Sequence, residues 1–297
     1  MRPNPTLRRL GFAPNDRVAI IHADDIGMCQ AGLAAFAELI DFGLVSSGAV
    51  MVPCPWSLAA AAYCRAHPQA DVGVHLTLTS EWETYRWGPI STRDPSSGLL
   101  DGEGCFFRTS EEVQANADPD AVAVELRAQL DRALAAGIDV THIDTHMGAV
   151  AHPKFIPGYV QLAMERRLPP MLPRLDEAGW RALNLDAETA AYAAQLTTQL
   201  EDQGLPLLDN ITMLPLDQPN DRIALAKRAF DSLPAGLTHF IIHPAADTPE
   251  LRAITPDAPS RIADYRAFTS PELRDYVRNA GIKVIGYRML RDLMRCQ

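Results

Sequence analysis

One stretch near the amino terminus, residues 18–28, constrains the fold more than any other part of the chain. It reads Val-Ala-Ile-Ile-His-Ala-Asp-Asp-Ile-Gly-Met, and its apolar, β-branched beginning at 18–21 predicts a buried strand. Two adjacent carboxylates, Asp24 and Asp25, follow, and a helical pattern begins beyond Gly27. Buried carboxylates are costly unless they are paired or bound to a metal, and active sites of α/β folds form where strands end. We therefore expect a functional site here, with helix capping by one Asp as the structural alternative.

Strand patterns alternate with helical patterns along most of the chain. Apolar residues at helical spacing predict helices at 33–43, 57–67, 118–137, 186–203, 221–233 and 270–281. Short apolar runs predict strands at 18–21, 45–52, 72–78, 140–144, 238–243 and 283–287, with weaker candidates at 171–175 and 205–208. This alternation predicts an α/β class fold, a distorted parallel (β/α) TIM-like barrel.

The same alternation predicts a single domain that spans residues 1–297. Residues 1–16 are expected to form an N-terminal extension of that domain. Residues 80–110 have no periodicity, and long loops inside compact domains are usually functional, so we expect an active-site loop there.

Charge and composition exclude several classes of protein. The net charge is −10 without any basic run, which argues against nucleic acid and anionic membranes as partners. No apolar run approaches the ~18 residues of a membrane span, and residues 1–16 lack the apolar region of a secretory signal. The five cysteines form no C-x-x-C pair and are typical of reduced thiols. We expect a cytoplasmic protein without a membrane span. A homodimer is one possible oligomeric state.

Four of the predicted strands end in histidine or aspartate, and a parallel order would bring those ends to one rim. The residues are His22, Asp24 and Asp25 after the first strand, His75 on the third, His142, Asp144 and His146 on the fourth, and His243 at 238–243. On a regular strand, residues two apart share a face, so the three residues of the fourth strand would point together if the strand continued that far. Imidazoles plus a carboxylate are the ligands of a catalytic zinc or another first-row divalent ion. One such histidine would usually be structural, but four strand ends together predict a metal site.

Four ordered motifs resemble those of the YdjC-like carbohydrate deacetylases. They are His-Ala-Asp-Asp-Ile-Gly at 22–27, Gly-Val-His-Leu-Thr at 73–77, Thr-His-Ile-Asp-Thr-His at 141–146 and Ile-His-Pro at 242–244. The family includes chitooligosaccharide and hopanoid-pathway N-deacetylases, and the resemblance extends over residues 17–290. It implies a distorted (β/α) barrel that holds one divalent metal ion, zinc or magnesium. Carried over by motif, Asp25, His75 and His146 would be the ligands, Asp24 the general base and His243 the general acid.

One motif departs from the family pattern. The family usually has a further histidine two residues after the last ligand, whereas this chain has Met147-Gly148-Ala149 after His146. The ligand set is retained, but that wall of the pocket differs. The substrate is therefore not fixed as the chitooligosaccharide of the best-known members.

The residues suit amide hydrolysis, which needs an activated water, a polarised carbonyl and a proton for the leaving amine. A metal ion supplies the first two, a carboxylate beside it takes the proton of the water, and a histidine delivers one to nitrogen. We expect a hydrolase of linear carbon–nitrogen amide bonds that converts an N-acetylated sugar or oligosaccharide to the amine and acetate. Adjacent strand residues face opposite sides, so separate roles for Asp24 and Asp25 require a backbone turn, which Gly27 would help to form.

Additional side chains are candidates for binding substrate. Trp82, Tyr85 and Trp87 lie in the long loop, and their rings would suit a sugar face; the alternative is that they anchor the loop. Arg174 is predicted to bind a substrate hydroxyl or carboxylate, or else to pair with Asp176.

A further group of residues is expected next to the ligands. His22, His142 and Asp144 are assigned to this group. Asp144 would orient a ligand imidazole, with a capping or turn role as an equal alternative.

Three other functions are compatible with parts of the sequence. His142, Asp144 and His243 mimic the two-histidine-one-carboxylate triad of non-haem iron oxygenases, although the alternation of strands and helices argues against that fold. A non-catalytic sugar-binding protein would not need all the acid–base candidates that this chain has. A metal-dependent barrel hydrolase of a cyclic amide or ester is left open by the sequence.

Overall fold

A computed structural model describes residues 2–296, which form a parallel sheet with helices around it. The strands of these residues are β1 (Arg17–Ile26), β2 (Ser47–Val50), β3 (Val72–Leu76), β4 (Val140–Thr145), β5 (Asn210–Met213), β6 (Gly236–Ile242) and β7 (Lys283–Val284). The helices up to β5 are α1 (Pro5–Arg9), α2 (Gln30–Phe42), α3 (Ser57–Ala66), α4 (Ser110–Asn116), α5 (Pro119–Ala135), α6 (Ile156–Arg166), α7 (Glu177–Ala182) and α8 (Ala187–Asp202). The later helices are α9 (Arg222–Asp231), α10 (Pro249–Ile254), α11 (Ala258–Phe268), α12 (Pro271–Asn279) and α13 (Tyr287–Arg295).

All strand pairs are parallel, in the order β4-β3-β2-β1-β6-β5, with β7 also paired to β1. The predicted α/β class is therefore confirmed. The path of continuous strands ends at β4 on one side and at β5 on the other. Single parallel bridges join Pro170 to Ile143 of β4 and Pro173 to Leu208. The weak strand candidate at 171–175 is thus reduced to bridges, and the one at 205–208 lies just before β5.

Both faces of the central strand β1 are buried, as expected for a parallel strand covered on two sides. Val18 and Ile20 pack in one apolar cluster with Leu237 and Tyr287. Their neighbours Ala19 and Ile21 belong to a second, larger cluster, which packs against helices. No helix within residues 2–296 combines the length and the apolar character needed to cross a membrane.

Helix ends follow the sequence signals closely. Gly43 ends α2 with a left-handed φ of 82°, a conformation that glycine adopts without steric cost. Asp118 caps α5 by accepting hydrogen bonds from the main chain of Asp120 and Ala121. Most of the predicted loop at 80–110 is irregular, with a short 3₁₀ turn at Pro95–Ser97.

Candidate active site

The end of β1 turns so that both of its carboxylates reach the same site. The register of β1 on β2 shifts between Ala23 and Ile26, and Asp25 adopts a left-handed φ of 63°. Such a conformation costs a non-glycine residue about 1–3 kcal/mol, and it clusters at functional sites. Gly27 is left-handed as well, with φ 82°. The predicted turn is present, but Asp25 itself adopts the strained conformation.

Three buried donor atoms converge beside this turn. Asp25 Oδ1 lies 3.4 Å from His75 Nε2 and 3.2 Å from His146 Nδ1. Asp25 Oδ1 has no hydrogen bond of good geometry to any residue within 2–296. Donor atoms bound to one ion at about 2.0–2.2 Å lie roughly 3–3.6 Å apart, so these separations fit a single divalent ion. His75 is on β3, and His146 lies in the short turn His146–Gly148 that follows β4.

Each of the two histidines is held by a second carboxylate through its other nitrogen. His75 Nδ1 lies 2.9 Å from Asp144 Oδ1, and His146 Nε2 lies 3.1 Å from a Glu81 oxygen. A hydrogen on each of these nitrogens leaves the opposite nitrogen free as a ligand. Burial alone would lower the pKa of His146, but the charges of Glu81 and Asp25 raise it to about 9. The role of Glu81 was not predicted; its only signal was an acid at the start of the long loop.

Arg261 of α11 neutralises Asp25 from the other side. Its Nη1 donates to Asp25 Oδ2 over 2.6 Å, and the side chains of both residues are buried. Burial alone would raise the pKa of the Asp25 carboxyl, but the Arg261 charge keeps it well below its usual value. Arg261 also pairs with Asp257, one helical turn earlier. No pattern in the sequence linked α11 to β1, and Arg261 was not predicted.

Asp24 faces two directions. Its Oδ1 lies 2.6 Å from His22 Nδ1, whereas its Oδ2 lies 3.6 Å from His75 Nε2 and 3.9 Å from His243 Nε2. Burial would raise the pKa of the Asp24 carboxyl, but the charge of His75 and the hydrogen bond with His22 lower it overall. Asp24 is therefore an ionised acceptor with one oxygen directed toward His75 and His243.

His243 follows β6 and is positioned through its main chain. Its N–H donates to Asp264 Oδ2 over 3.1 Å, and Asp264 forms a buried ion pair of 2.6 Å with Arg222. Burial lowers the pKa of the His243 imidazole below its usual value. Asp264 and Arg261 both belong to α11, so this one helix positions both Asp25 and His243.

A second group of potential ligands lies beside the first and comprises His22, Asp24, Asp144 and His239. Both nitrogens of His22 are already at hydrogen-bond distance, 2.6 Å from Asp24 Oδ1 and 2.8 Å from His142 Nε2. These separations are too short for two ligands of one ion. His142 faces His22, so the iron triad that would need His142 as a ligand is not supported.

The aromatic residues of the long loop are mostly inside the protein. Trp82 and Trp87 are 8% and 4% exposed and pack edge to face at 5.3 Å. Trp87 Nε1 donates to the Thr79 carbonyl, and the Tyr85 hydroxyl donates to the Met28 carbonyl. The two indoles therefore leave little ring surface for a sugar, which favours the anchoring alternative over the predicted stacking platform.

Arg174 does not join the candidate active site. It is buried in ion pairs with Glu201 at 2.6 Å and Asp209 at 2.8 Å, and Asp209 accepts from the main chain at the start of β6. The site residues lie at the opposite, carboxyl ends of the strands. Two acids that are far from Arg174 in the sequence thus form its ion pairs. This corrects both the predicted substrate contact of Arg174 and its alternative pairing with Asp176.

Comparison with known proteins identifies the family of this chain. Residues 18–279 match the family described as YdjC-like protein. A carbohydrate deacetylase of Thermus thermophilus is 34% identical, with 90% of this chain and 92% of that protein covered. A carbohydrate deacetylase of Thermoanaerobacter pseudethanolicus is 25% identical, with 92% and 98% covered. The crystal structure of a putative cellobiose-phosphate cleavage protein from Enterococcus faecalis shares the fold, with a TM-score of 0.72, 22% identity, and 92% and 98% coverage. The chain therefore belongs to the YdjC-like family.

Proposed function

We propose that this protein is a metal-dependent carbohydrate deacetylase that hydrolyses the N-acetyl group of an acetylated amino sugar or oligosaccharide. The names of its relatives support the reaction class. The observation that carries the proposal is the convergence of Asp25 Oδ1, His75 Nε2 and His146 Nδ1 beside a separate carboxylate oxygen of Asp24. A binding protein would not need this additional acceptor.

In this proposal Asp25, His75 and His146 hold one divalent ion. Two imidazole nitrogens and one carboxylate oxygen favour zinc or another first-row ion over magnesium, which prefers oxygen ligands. Such an ion, when bound, polarises the amide carbonyl and lowers the pKa of water beside it. Asp144 and Glu81 keep the two imidazoles in the tautomers that ligation requires.

The other residues move protons. Asp24 Oδ2 accepts a proton from the attacking water, whose oxygen forms the new bond to the acetyl carbon. His243 delivers a proton to the amide nitrogen as the carbon–nitrogen bond breaks, so that acetate and a free amine are released. Because burial lowers its pKa, the His243 imidazole is neutral at pH 7 and must receive a proton before it can donate one. Asp24 Oδ2, which takes the proton of the water, lies 3.9 Å from His243 Nε2 and supplies that proton.

Two single variants of the aspartate pair test this assignment. Asp24→Asn keeps the shape but loses the proton acceptor, so bound metal should be retained while turnover falls by about 10²–10⁴. Asp25→Asn removes a charged ligand, so metal content itself should fall. Metal analysis and acetate release from a panel of N-acetylated sugars are measured side by side. The reverse pattern would exchange the two roles, and full activity of both variants would refute the mechanism.

The same panel should include cyclic amides and esters. Ring opening of these compounds without acetate release would identify the other type of metal hydrolase. A single domain over 1–297, a cytoplasmic location and a homodimer stay predictions, which limited proteolysis, cell fractionation and light scattering would test.

A further inference from the structure

A continuous hydrogen-bonded chain leads from the candidate active site to the opposite end of the strands. Asp24 Oδ1 lies 2.6 Å from His22 Nδ1, and His22 Nε2 lies 2.8 Å from His142 Nε2. His142 Nδ1 lies 3.0 Å from Thr141 Oγ1, which donates to Asp71 Oδ1 over 2.5 Å. All five residues are buried. Asp71 immediately precedes β3, so the chain connects the start of one strand with the end of another.

The direction of these hydrogen bonds is set at the Asp71 end. Asp71 accepts from Thr141, from the Ser47 hydroxyl at 3.2 Å and from the main chain of Arg288 at 2.7 Å. The single hydrogen of the Thr141 hydroxyl is thus used, and Thr141 Oγ1 is left to accept from His142. His142 therefore carries its hydrogen on Nδ1.

That tautomer determines the rest of the chain. Burial lowers the pKa of His142 well below its usual value, so the ring is neutral and its Nε2 is an acceptor. His22 Nε2 must then donate to it. Asp144 Oδ2, which lies 3.5 Å from the same His22 nitrogen, favours a hydrogen there as well. His22 Nδ1 faces Asp24 Oδ1 at 2.6 Å, a separation that requires a hydrogen between the two atoms. Because Asp24 is the acceptor in this hydrogen bond, the hydrogen belongs to His22, which therefore donates from both of its nitrogens.

The His142 ring is fixed in a fitted space, which is an observation independent of the hydrogen bonds. A Cβ at Gly73 would lie only 2.5 Å from His142 Cε1, so the ring needs the absence of a side chain there. On the ring itself, Tyr287 stacks at a centroid distance of 3.9 Å and an interplanar angle of 14°. The ring thus has little freedom to rotate, and its tautomer depends on the partner of Nδ1.

We propose that Thr141 and Asp71 are positioning residues for Asp24. They keep the hydrogen of His142 on Nδ1, so that His142 Nε2 accepts from His22 Nε2 and His22 Nδ1 donates to Asp24 Oδ1. Asp24 Oδ2 is thereby left to face His243. This inference rests on the proposed function, because it assigns Asp24 the role of base. It adds two residues that belong neither to the proposed metal ligands nor to the proposed acid–base pair.

The test compares Thr141→Val with Ser47→Ala. Each variant removes one hydroxyl that donates to Asp71 Oδ1, but only Thr141 continues to His142. We expect Thr141→Val to lower kcat by about 10–100-fold, the usual effect of losing a residue that orients a site group, with KM and metal content unchanged. The kcat of Ser47→Ala should stay close to that of the wild type. Thr141→Ser, which keeps the hydroxyl, should also have a kcat close to that of the wild type.

Nitrogen-15 NMR of the histidine rings gives a readout that does not depend on activity. The signals of His142 are identified because they are missing from the spectrum of His142→Gln. His142 should carry its hydrogen on Nδ1 in the wild type and in Ser47→Ala, but should lose this preference in Thr141→Val. A wild-type His142 with hydrogen on Nε2 would overturn the inference, as would a Thr141→Val variant with wild-type kcat or with reduced metal content. Absence of acetate release by the wild type would instead refute the proposed function. The NMR result would still show whether the hydrogen-bonded chain from Asp71 to Asp24 has the proposed direction.

Discussion

Replacing Arg261 by Met tests how the buried charge of Asp25 is compensated. The two side chains are each 4% exposed, and Arg261 Nη1 lies 2.6 Å from Asp25 Oδ2. Removing one partner of a buried ion pair costs about 3–5 kcal/mol, because the other charge stays buried without compensation. The unfolding entropy of globular proteins is about 2.1 cal/mol/K per residue. For a chain of 297 residues the loss therefore corresponds to a Tm decrease of about 5–8 °C.

The assay is thermal unfolding of the metal-free protein for Arg261→Met, Asp25→Asn and the double variant. Because Asp25→Asn removes the charge that Arg261 compensates, the double variant should lose less than the sum of the single losses, by about 1–3 kcal/mol. Arg222→Met is the matched control, since it breaks the buried pair with Asp264 and not the one with Asp25. Its effect should add to that of Asp25→Asn. Simple additivity in the Arg261 cycle would refute the reasoning.

Two further outcomes are expected. In the metal-free protein His146 has a pKa of about 9, against ~6.5 when unfolded, so its contribution to stability is complete below about pH 6.5 and is lost as pH rises through 9. Tm should fall across this interval, and less so in Glu81→Gln; equal pH dependence of the two proteins would contradict the role of Glu81. Trp87→Ala should lower the free energy of unfolding by about 3–5 kcal/mol with KM unchanged, whereas Leu58→Ala, at a side chain 61% exposed, should change stability little. A raised KM at unchanged Tm would instead support the sugar platform.

Local patterns were sufficient for β1–β4, β6 and β7 and for six helices, α2, α3, α5, α8, α9 and α12, but not for β5 or the other seven helices within residues 2–296. Helix and strand periodicity, and signals such as Gly43 and Asp118, depend on neighbours in sequence, and the structure follows them. The α/β alternation implied that strand ends share a rim. Asp25, His75 and His146 do converge there: Asp25 Oδ1 lies 3.4 Å from His75 Nε2 and 3.2 Å from His146 Nδ1.

What the sequence could not supply is the identity of the partners of these residues. Glu81 and Arg261 lie on a loop and on a distant helix, and no spacing rule links either of them to the residue that it contacts. The orientation of Asp25, with Oδ1 toward the histidines and Oδ2 toward Arg261, depends on a left-handed φ that only the folded chain enforces.

The surroundings of the residues that were predicted to bind substrate have the same physical explanation. The residue types of Arg174 and Trp87 suit substrate binding, but a guanidinium and an indole are equally able to stabilise a fold when acids or apolar neighbours surround them. Glu201 and Asp209 surround Arg174, and Trp82 packs on Trp87. The amino-acid sequence by itself therefore determined most of the strands, six of the helices and the chemical types at the strand ends. The tertiary structure decided which of those groups face one another, because burial and pairing arise from contacts between residues far apart in the chain.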